Sequence, residues 1–251
     1  MSVVAILQAR SSSSRLPQKV LRPILGKPML ERQIERVLRS QAIEKLIVAT
    51  SDDPSDDLLV ELCQRLNVAC FRGSLEDVLD RFYNAAALHK PKHVVRLTGD
   101  CPLIDHQVID KVISAHIQSG ADYTSNVNPP TYPDGLDVEV MTFTSLETAW
   151  RFATLQSDRE HVTSYIRKPE ASFHIENVKN DVDLSHFRWT VDELADFEFV
   201  TKVYTCLYRL NSHFDTQEIL ELIENQPDLL AINQGYIRNE GYEQSLLKDK
   251  H

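Results

Sequence analysis

No apolar run in this 251-residue chain approaches the length that crosses a bilayer. The first residues lack the cationic region, apolar stretch and cleavage site of a secretory leader. The expected location is therefore the cytoplasm, with no membrane partner. Positive charge is also scarce: 27 Lys and Arg face 37 Asp and Glu, for a formal net charge of −10. General nucleic-acid binding, which needs a basic face, is disfavoured. The four cysteines (Cys63, Cys70, Cys101, Cys206) show no CxxC spacing, and the nine histidines show neither HxxxH nor HExxH. That leaves reduced, buried thiols and removes a disulfide frame or zinc site. What is there, 42% hydrophobic and 25% charged residues, suits a globular protein able to bury a full core.

The scarce cations are not spread evenly. Residues 3 to 8, VVAILQ, are mostly apolar and partly β-branched, and read as a buried parallel strand. A polar loop follows with Arg10, four serines from Ser11 to Ser14, Arg15 and Lys19. Three cations and four hydroxyls directly after a first strand suggest a polyanion site, and a triphosphate fits. A solvated Ser-rich surface loop is the plainer reading. The LPQK that follows leads straight into another apolar run, so the loop is short and tethered at both ends.

Beyond it, strands are expected at 45–51, 68–73 and 93–100, alternating with helices at 28–41, 53–67, 76–90 and 105–120. This rhythm predicts an α/β fold: a doubly wound, mainly parallel sheet with helices on both faces. Ligands bind such sheets at the C-terminal strand ends, here carrying residues 8–15, 51–53, 72–74 and 98–100. From residue 121 three prolines, a DG turn and an alternating segment predict a loop with a strand or hairpin inserted in the second half. Helices are then expected at 145–154, 157–168, 193–210 and 216–225, with strand-like stretches at 173–178 and 183–191. The whole reads as one domain over 1–238, ending in a loosely held polar tail over 239–251.

The string QARSSSSRLPQKVL resembles the signature of the cytidylyltransferases that activate sugars as CMP conjugates. That group includes the CMP-sialate and CMP-ketodeoxyoctonate synthetases and their spore-coat polysaccharide relatives. The family pattern, Ala-Arg-x-Gly-Ser-x-Arg-Leu-Pro-Gly-Lys, implies phosphate contacts for Arg10, Ser13, Arg15 and Lys19, with Gln8 and Ala9 beside them. Ser12 and Gln18 stand where glycine is usual, and a positive φ at Ser12 would cost about 1–2 kcal/mol. The resemblance implies CTP as nucleotide and an acidic sugar as acceptor, with a homodimer as the usual assembly. Trp150, Phe152 and Tyr165 could serve that contact or simply the core.

Asp100 closes the expected strand ending LTGD, well placed for a divalent ion, though turn aspartates are common there. LTGDCPLI resembles the family's Gly-Asp-x-Pro-Leu segment, whose aspartate holds Mg²⁺, with Thr98 and Gly99 adjoining the nucleotide. Asp192 in RWTVDELADFEFV is either a helix N-cap or, by resemblance, the second metal ligand. Two carboxylates suit Mg²⁺, which fills its sphere with phosphate oxygens and water. Arg72 and Ser74 stand where relatives carry base-contacting groups, while Arg81 is as readily a surface ion-pair partner as a ligand contact. PDGLDVEV resembles the acceptor block, offering Asp134, Asp137 and Glu139; on an alternating strand the last two share one face. REHVTSYI resembles another block and adds Glu160 and His161. An acidic sugar needs a cation, and Arg151, Arg159, Arg167 and Arg188 are available without one being singled out. The competing readings are a transferase of another nucleotide or a neutral sugar, a glycosyltransferase, and a non-catalytic nucleotide-binding protein.

Overall fold

The computed structural model describes residues 2–249 apart from Ser14, Ile237 and Asn239, and without the side chains of Glu240, Gln244 and Lys248. Strand β1 (Val3–Gln8) lies near the middle of a seven-stranded sheet. Its residues alternate between two apolar clusters, Val3, Ala5 and Leu7 facing one and Val4 and Ile6 the other. That is why the run is apolar throughout: both faces of the strand are covered. Burying Ile6 completely is worth about 1.5–3 kcal/mol.

A short hairpin, β2 (Pro23–Ile24) with β3 (Lys27–Pro28), leads into α1 (Met29–Val37). The chain then alternates through β4 (Lys45–Ser51), α2 (Asp57–Leu66), β5 (Ala69–Gly73), α3 (Val78–Ala87), β6 (His93–Thr98) and α4 (His106–Ser119). The strands β5, β4, β1 and β6 run parallel in that order. Helix α4 starts where the Asp105 side chain accepts from the Gln107 N–H and stops at Gly120, left-handed at φ 66.

The second half continues the same sheet. β7 (Tyr123–Ser125) and β8 (Glu139–Thr142) pair antiparallel, and β8 also runs antiparallel to β6. After α5 (Phe143–Phe152) and α6 (Gln156–His161), β9 (Ile175–Asn177) adds parallel to β7. The chain closes with α7 (Leu194–Leu207), α8 (Thr216–Asn225) and α9 (Glu240–Lys248). Among the described residues no helix is long and apolar enough to cross a membrane.

Three expectations give way here. The helix expected over 157–168 is only α6, because Val162 adopts φ 61 and the Thr163 hydroxyl donates to Glu139 instead of extending the turn. The stretch 183–191 forms no strand: the N–H groups of Leu184 and Trp189 go to Thr131 and Asp134 of one loop and that of Val191 to Asp100 of another, with no more than an isolated bridge at Arg188. The loose polar tail contains α9, which packs on α6; Ser245 within it is buried.

Candidate active site

A cavity of about 830 Å³ opens where the C-terminal ends of β1 and β6 meet β8, α6 and the loop before α7. Ala9, Arg10, Ser13, Arg15 and Lys19 line it around the Lys19 ion pairs, and Gln8 reaches across, its side-chain oxygen accepting from Arg96 at 3.0 Å. The loop that presents them is pinned at Ser11, not left free: its N–H and hydroxyl both donate to the buried Asp56, at 2.7 and 2.6 Å. Asp56 also accepts from the hydroxyls of Thr50 and Ser51, and these donors outweigh burial to hold its carboxyl below the usual range. Of the serines, Ser13 faces the cavity and Ser14 lies outside the described residues. Gln18 takes the left-handed conformation, φ 54, and turns the chain so that Lys19 points inward. Ser12 has no positive φ, so only the second of the two replaced glycines sits where glycine is favoured.

The Lys19 ammonium donates to the Val191 carbonyl at 2.8 Å and to Asp192 at 2.9 Å, with Asp100 at 3.4 Å. Burial works against that charge, yet the two carboxylates raise its pKa above the ordinary lysine value. Asp100 is lowered in turn: burial opposes ionisation, and Lys19, Thr98 and Cys101 overcome it. Arg15 adds a second cation to Asp192 at 3.0 Å. Asp192 is not at a strand end; the Val191 N–H, donating to the Asp100 carbonyl at 2.8 Å, brings it beside Asp100. Gly99 lines the cavity and also lets the end of β1 approach closely. A Cβ there would lie 2.9 Å from that of Ala9 and 3.0 Å from the Gln8 carbonyl.

Carboxylates gather at the other end: Asp134, Asp137, Glu139 and Glu160, with His161. Gly135, at φ 111, lets this loop pass against the backbone of Trp189 and Thr190, which a Cβ would meet at 2.7 and 2.6 Å. Asp137 lies just before β8 and not within it, so the shared strand face expected for Asp137 and Glu139 is not formed. The two are tuned in opposite directions. Glu139 accepts from Tyr123 (2.5 Å), Thr163 (2.6 Å) and Arg96; burial opposes, but Arg96 and Arg167 with these donors pull its carboxyl down to about 2. Asp137 is pushed up to about 7 by burial and by its neighbours Asp134 and Glu139, against the pull of Arg238 at 2.5 Å. Arg188 joins the two ends, held by Asp196 at 2.8 Å and reaching Asp134 and Asp192 at 3.5 Å each.

A profile of the cytidylyltransferase family matches residues 4–235. The chain belongs to that family. An uncharacterised protein of Methanocaldococcus jannaschii is 36% identical to this cytidylyltransferase over 96% of this chain and 98% of its own length. The spore coat polysaccharide biosynthesis protein SpsF of Bacillus subtilis is 34% identical over 90% of this chain and 95% of its own. Among solved structures, a cytidylyltransferase from Leptospira borgpetersenii superposes with a TM-score of 0.88 at 30% identity, covering 94% of this chain and 100% of that one. The chain is a nucleotidyltransferase, and the glycosyltransferase and non-catalytic readings fall away.

Within this cytidylyltransferase, two residues expected at the base do not line the cavity. Arg72 donates to the carbonyls of Ser51 and Asp53 and pairs with Asp57 at 2.6 Å, bracing the ends of β4 and β5. The Ser74 hydroxyl accepts from the Asp77 N–H. Arg81 is there instead. It is 2% exposed, donates one N–H to the Ser74 carbonyl at 2.6 Å and leaves its Nε without a partner. Its place between Val78 and Ala85 on the buried stripe of α3 was the signal that it is no surface arginine. Arg96 also lines the cavity, and a cation inside the apolar strand HVVRLT is a signal of the same kind.

Of the four arginines available for an acid, Arg151 pairs with Glu147, Arg159 with Asp77 and Arg188 with Asp196. Arg167 alone of them lines the cavity with no side-chain hydrogen bond among the described residues. Trp150 and Tyr165 are not free for an outer contact: Trp150 stacks on Tyr83 at 4.2 Å and Tyr165 packs on a core cluster. Phe152 remains 62% exposed. No group of three or more His, Cys, Asp or Glu gathers for a metal among the described residues. Asp100 and Asp192 do face one shared cation position, filled here by the Lys19 ammonium. An oxygen pair of that kind fits a hard divalent ion that keeps most of its other ligands as phosphate and water.

Proposed function

We propose that this enzyme transfers CMP from CTP to an acidic sugar, releasing pyrophosphate, and that Mg²⁺ takes part. The observation that carries the reading is the division of the cavity. Arg10, Arg15 and Lys19 stand at one end beside the Asp100–Asp192 pair, and Arg167 stands with unspent donors among carboxylates at the other.

Asp100 and Asp192 would hold the Mg²⁺ ion, which when bound neutralises charge on the phosphate oxygens. Arg10, Arg15, Lys19 and the Ser13 hydroxyl bind the triphosphate and stabilise the charge that builds on the departing pyrophosphate. Arg81, buried and partly unsatisfied beside Arg10, faces the nucleotide from α3. The acceptor hydroxyl attacks the α-phosphorus in line; the new O–P bond forms as the bond to the β-phosphate oxygen breaks. Asp137, with a carboxyl titrating at about 7, is suited to take the hydroxyl proton. Arg167 pairs with the sugar carboxylate, and Glu139 stays ionised to hold Arg96 and Thr163 in place. The product would feed surface-polysaccharide assembly in the cytoplasm, in keeping with the spore-coat name of the Bacillus relative.

A pyrophosphate-release assay with Mg²⁺ tests this, pairing four nucleoside triphosphates with a panel of ulosonic acids and neutral sugars. Release with CTP and an ulosonic acid is expected. Release that prefers another nucleotide, or a neutral sugar, would overturn it.

A further inference from the structure

Four of the five residues that the sequence assigns to the acceptor are bonded to the last stretch of the chain, which lies beyond the family-matched residues 4–235. Arg238 pairs with Asp137 at 2.5 Å, reaches Asp134 at 3.8 Å and donates to the Tyr132 carbonyl at 3.2 Å. Ser245, 5% exposed in α9, donates its hydroxyl proton to Glu160 at 2.9 Å and lies 2.9 Å from the Nε2 of His161. With that proton committed to the carboxylate, the Nε2 is the donor to Ser245. Tyr242 meets the His161 ring edge-on at 5.0 Å, and the Arg167 guanidinium lies over its face at 5.1 Å. Tyr242 and Ser245 both line the cavity.

The same helix fixes the element that carries Glu160 and His161. Helix α6 is six residues long and its own N-cap, Leu155, supplies no side-chain cap. Asp249, just past α9, accepts from the Ser157 N–H at 3.1 Å in its place. Without Arg238, Asp134 and Asp137 would face each other buried, with Arg188 as the only cation on them among the described residues.

We propose that Arg238 and α9 form the outer wall of the acceptor site, with Tyr242 and Ser245 as specificity-determining residues for a polyhydroxylated carboxylic acid. The proposal rests on the CMP-transfer reading above. The wall offers the acceptor a ring and, held on that ring, a guanidinium with free donors, while the Ser245 hydroxyl sets the Glu160 carboxylate and the His161 ring beside them. Together these match a sugar face, its hydroxyls and a carboxylate. The segment therefore belongs to substrate recognition as well as to the packing of α6.

The test uses the full chain at saturating Mg²⁺ and CTP, with 3-deoxy-manno-octulosonate and N-acetylneuraminate as acceptors. For Tyr242→Ala and Ser245→Ala the acceptor KM should rise about tenfold while the CTP KM stays within about twofold. Tyr242→Phe, which keeps the ring, and Ser245→Thr, which keeps the hydroxyl, should stay close to wild type. An unchanged acceptor KM in Tyr242→Ala would overturn the proposal. So would CTP and acceptor KM values that move together, because that is what a purely structural clamp on α6 would produce. Calorimetric binding of CTP to the wild type separates the two layers. No CTP binding sinks the CMP-transfer reading, whereas CTP binding without pyrophosphate release on either acid overturns the wall as a site for acids.

Discussion

The two ends of the cavity are built in opposite ways. At the phosphate end, the cations come from one loop of ten residues, 10–19, and they meet two carboxylates brought in from residues 100 and 192. At the acceptor end, the carboxylates come from one stretch, 134–139, and from α6. Their counter-ions arrive singly from far along the chain: Arg96 from β6, Arg188 from before α7 and Arg238 from before α9. The first arrangement concentrates positive charge where a polyanion would lie. The second neutralises its carboxylates inside the protein and leaves Arg167 open. Cations of one loop, held by a carboxylate pair, are thus presented to the nucleotide, and ion pairs gathered from along the chain to the acceptor.

The largest expected effect comes from breaking the phosphate end. Asp100→Asn removes a carboxylate from the shared cation position and should lower sugar-dependent pyrophosphate release by about 10²–10³-fold. Arg167→Ala, at the other end, should raise the acceptor KM and leave CTP affinity alone. Equal losses of CTP affinity in both variants would erase the distinction between the ends.

Gly135→Ala comes next and reads out stability. Its Cβ would strike backbone at 2.6 Å from a φ of 111, with no flexible side chain to yield. A cost of about 3 kcal/mol is expected, a Tm fall of about 6–12 °C. Calorimetric melting checks it; an unshifted Tm would mean that the Asp134 loop moves freely against Trp189.

A smaller effect separates Asp137 from Glu139. The folded pKa of Asp137, about 7, lies above its ordinary 3.8, so its contribution to stability is complete below about 4 and is lost as pH rises through 7. Glu139 lies at about 2 against 4.5, so its contribution is present above 4.5 and is lost as pH falls through 2. Between pH 5 and pH 8, Asp137→Asn should therefore lose less Tm than the wild type, by about 5–10 °C. Glu139→Gln should be destabilised at both pH values. Parallel melting curves for wild type and Asp137→Asn would show that Arg238 keeps Asp137 ionised throughout. The smallest change is Gln18→Gly, which relieves a left-handed side chain and should stabilise the protein by up to about 1 kcal/mol by chemical denaturation. A loss would show that the Gln18 side chain supports the loop.

The contrast between the two ends also explains what was legible in the sequence. Strands β1 and β4 and helix α8 stand where the apolar pattern put them, because runs buried on both faces and a capping box at Asp215 and Glu218 are local signals. The loop cations were legible for the same reason, being consecutive in sequence. The end of α6 at Val162 was not: it depends on Thr163 reaching Glu139, 24 positions away. Nor was the role of residues 183–191, whose N–H groups are shared between two distant loops. The last segment looked like a polar tail because Tyr242 and Ser245 of α9, and Asp249 just past it, are polar toward the protein. Arg72 and Arg81 changed places because Arg72, within β5, turns to the carbonyls at the end of β4, whereas Arg81 sits on the buried stripe of α3.

The most direct measurement is calorimetric titration of CTP, with Mg²⁺, into the wild type, Arg15→Ala and Tyr242→Ala. Binding by the wild type, a Kd raised at least about tenfold in Arg15→Ala, and a Kd within about twofold of wild type in Tyr242→Ala are expected if the triphosphate lies at the loop end. A CTP affinity indifferent to Arg15 and lost with Tyr242 would place the nucleotide at the opposite end and contradict the division of the cavity.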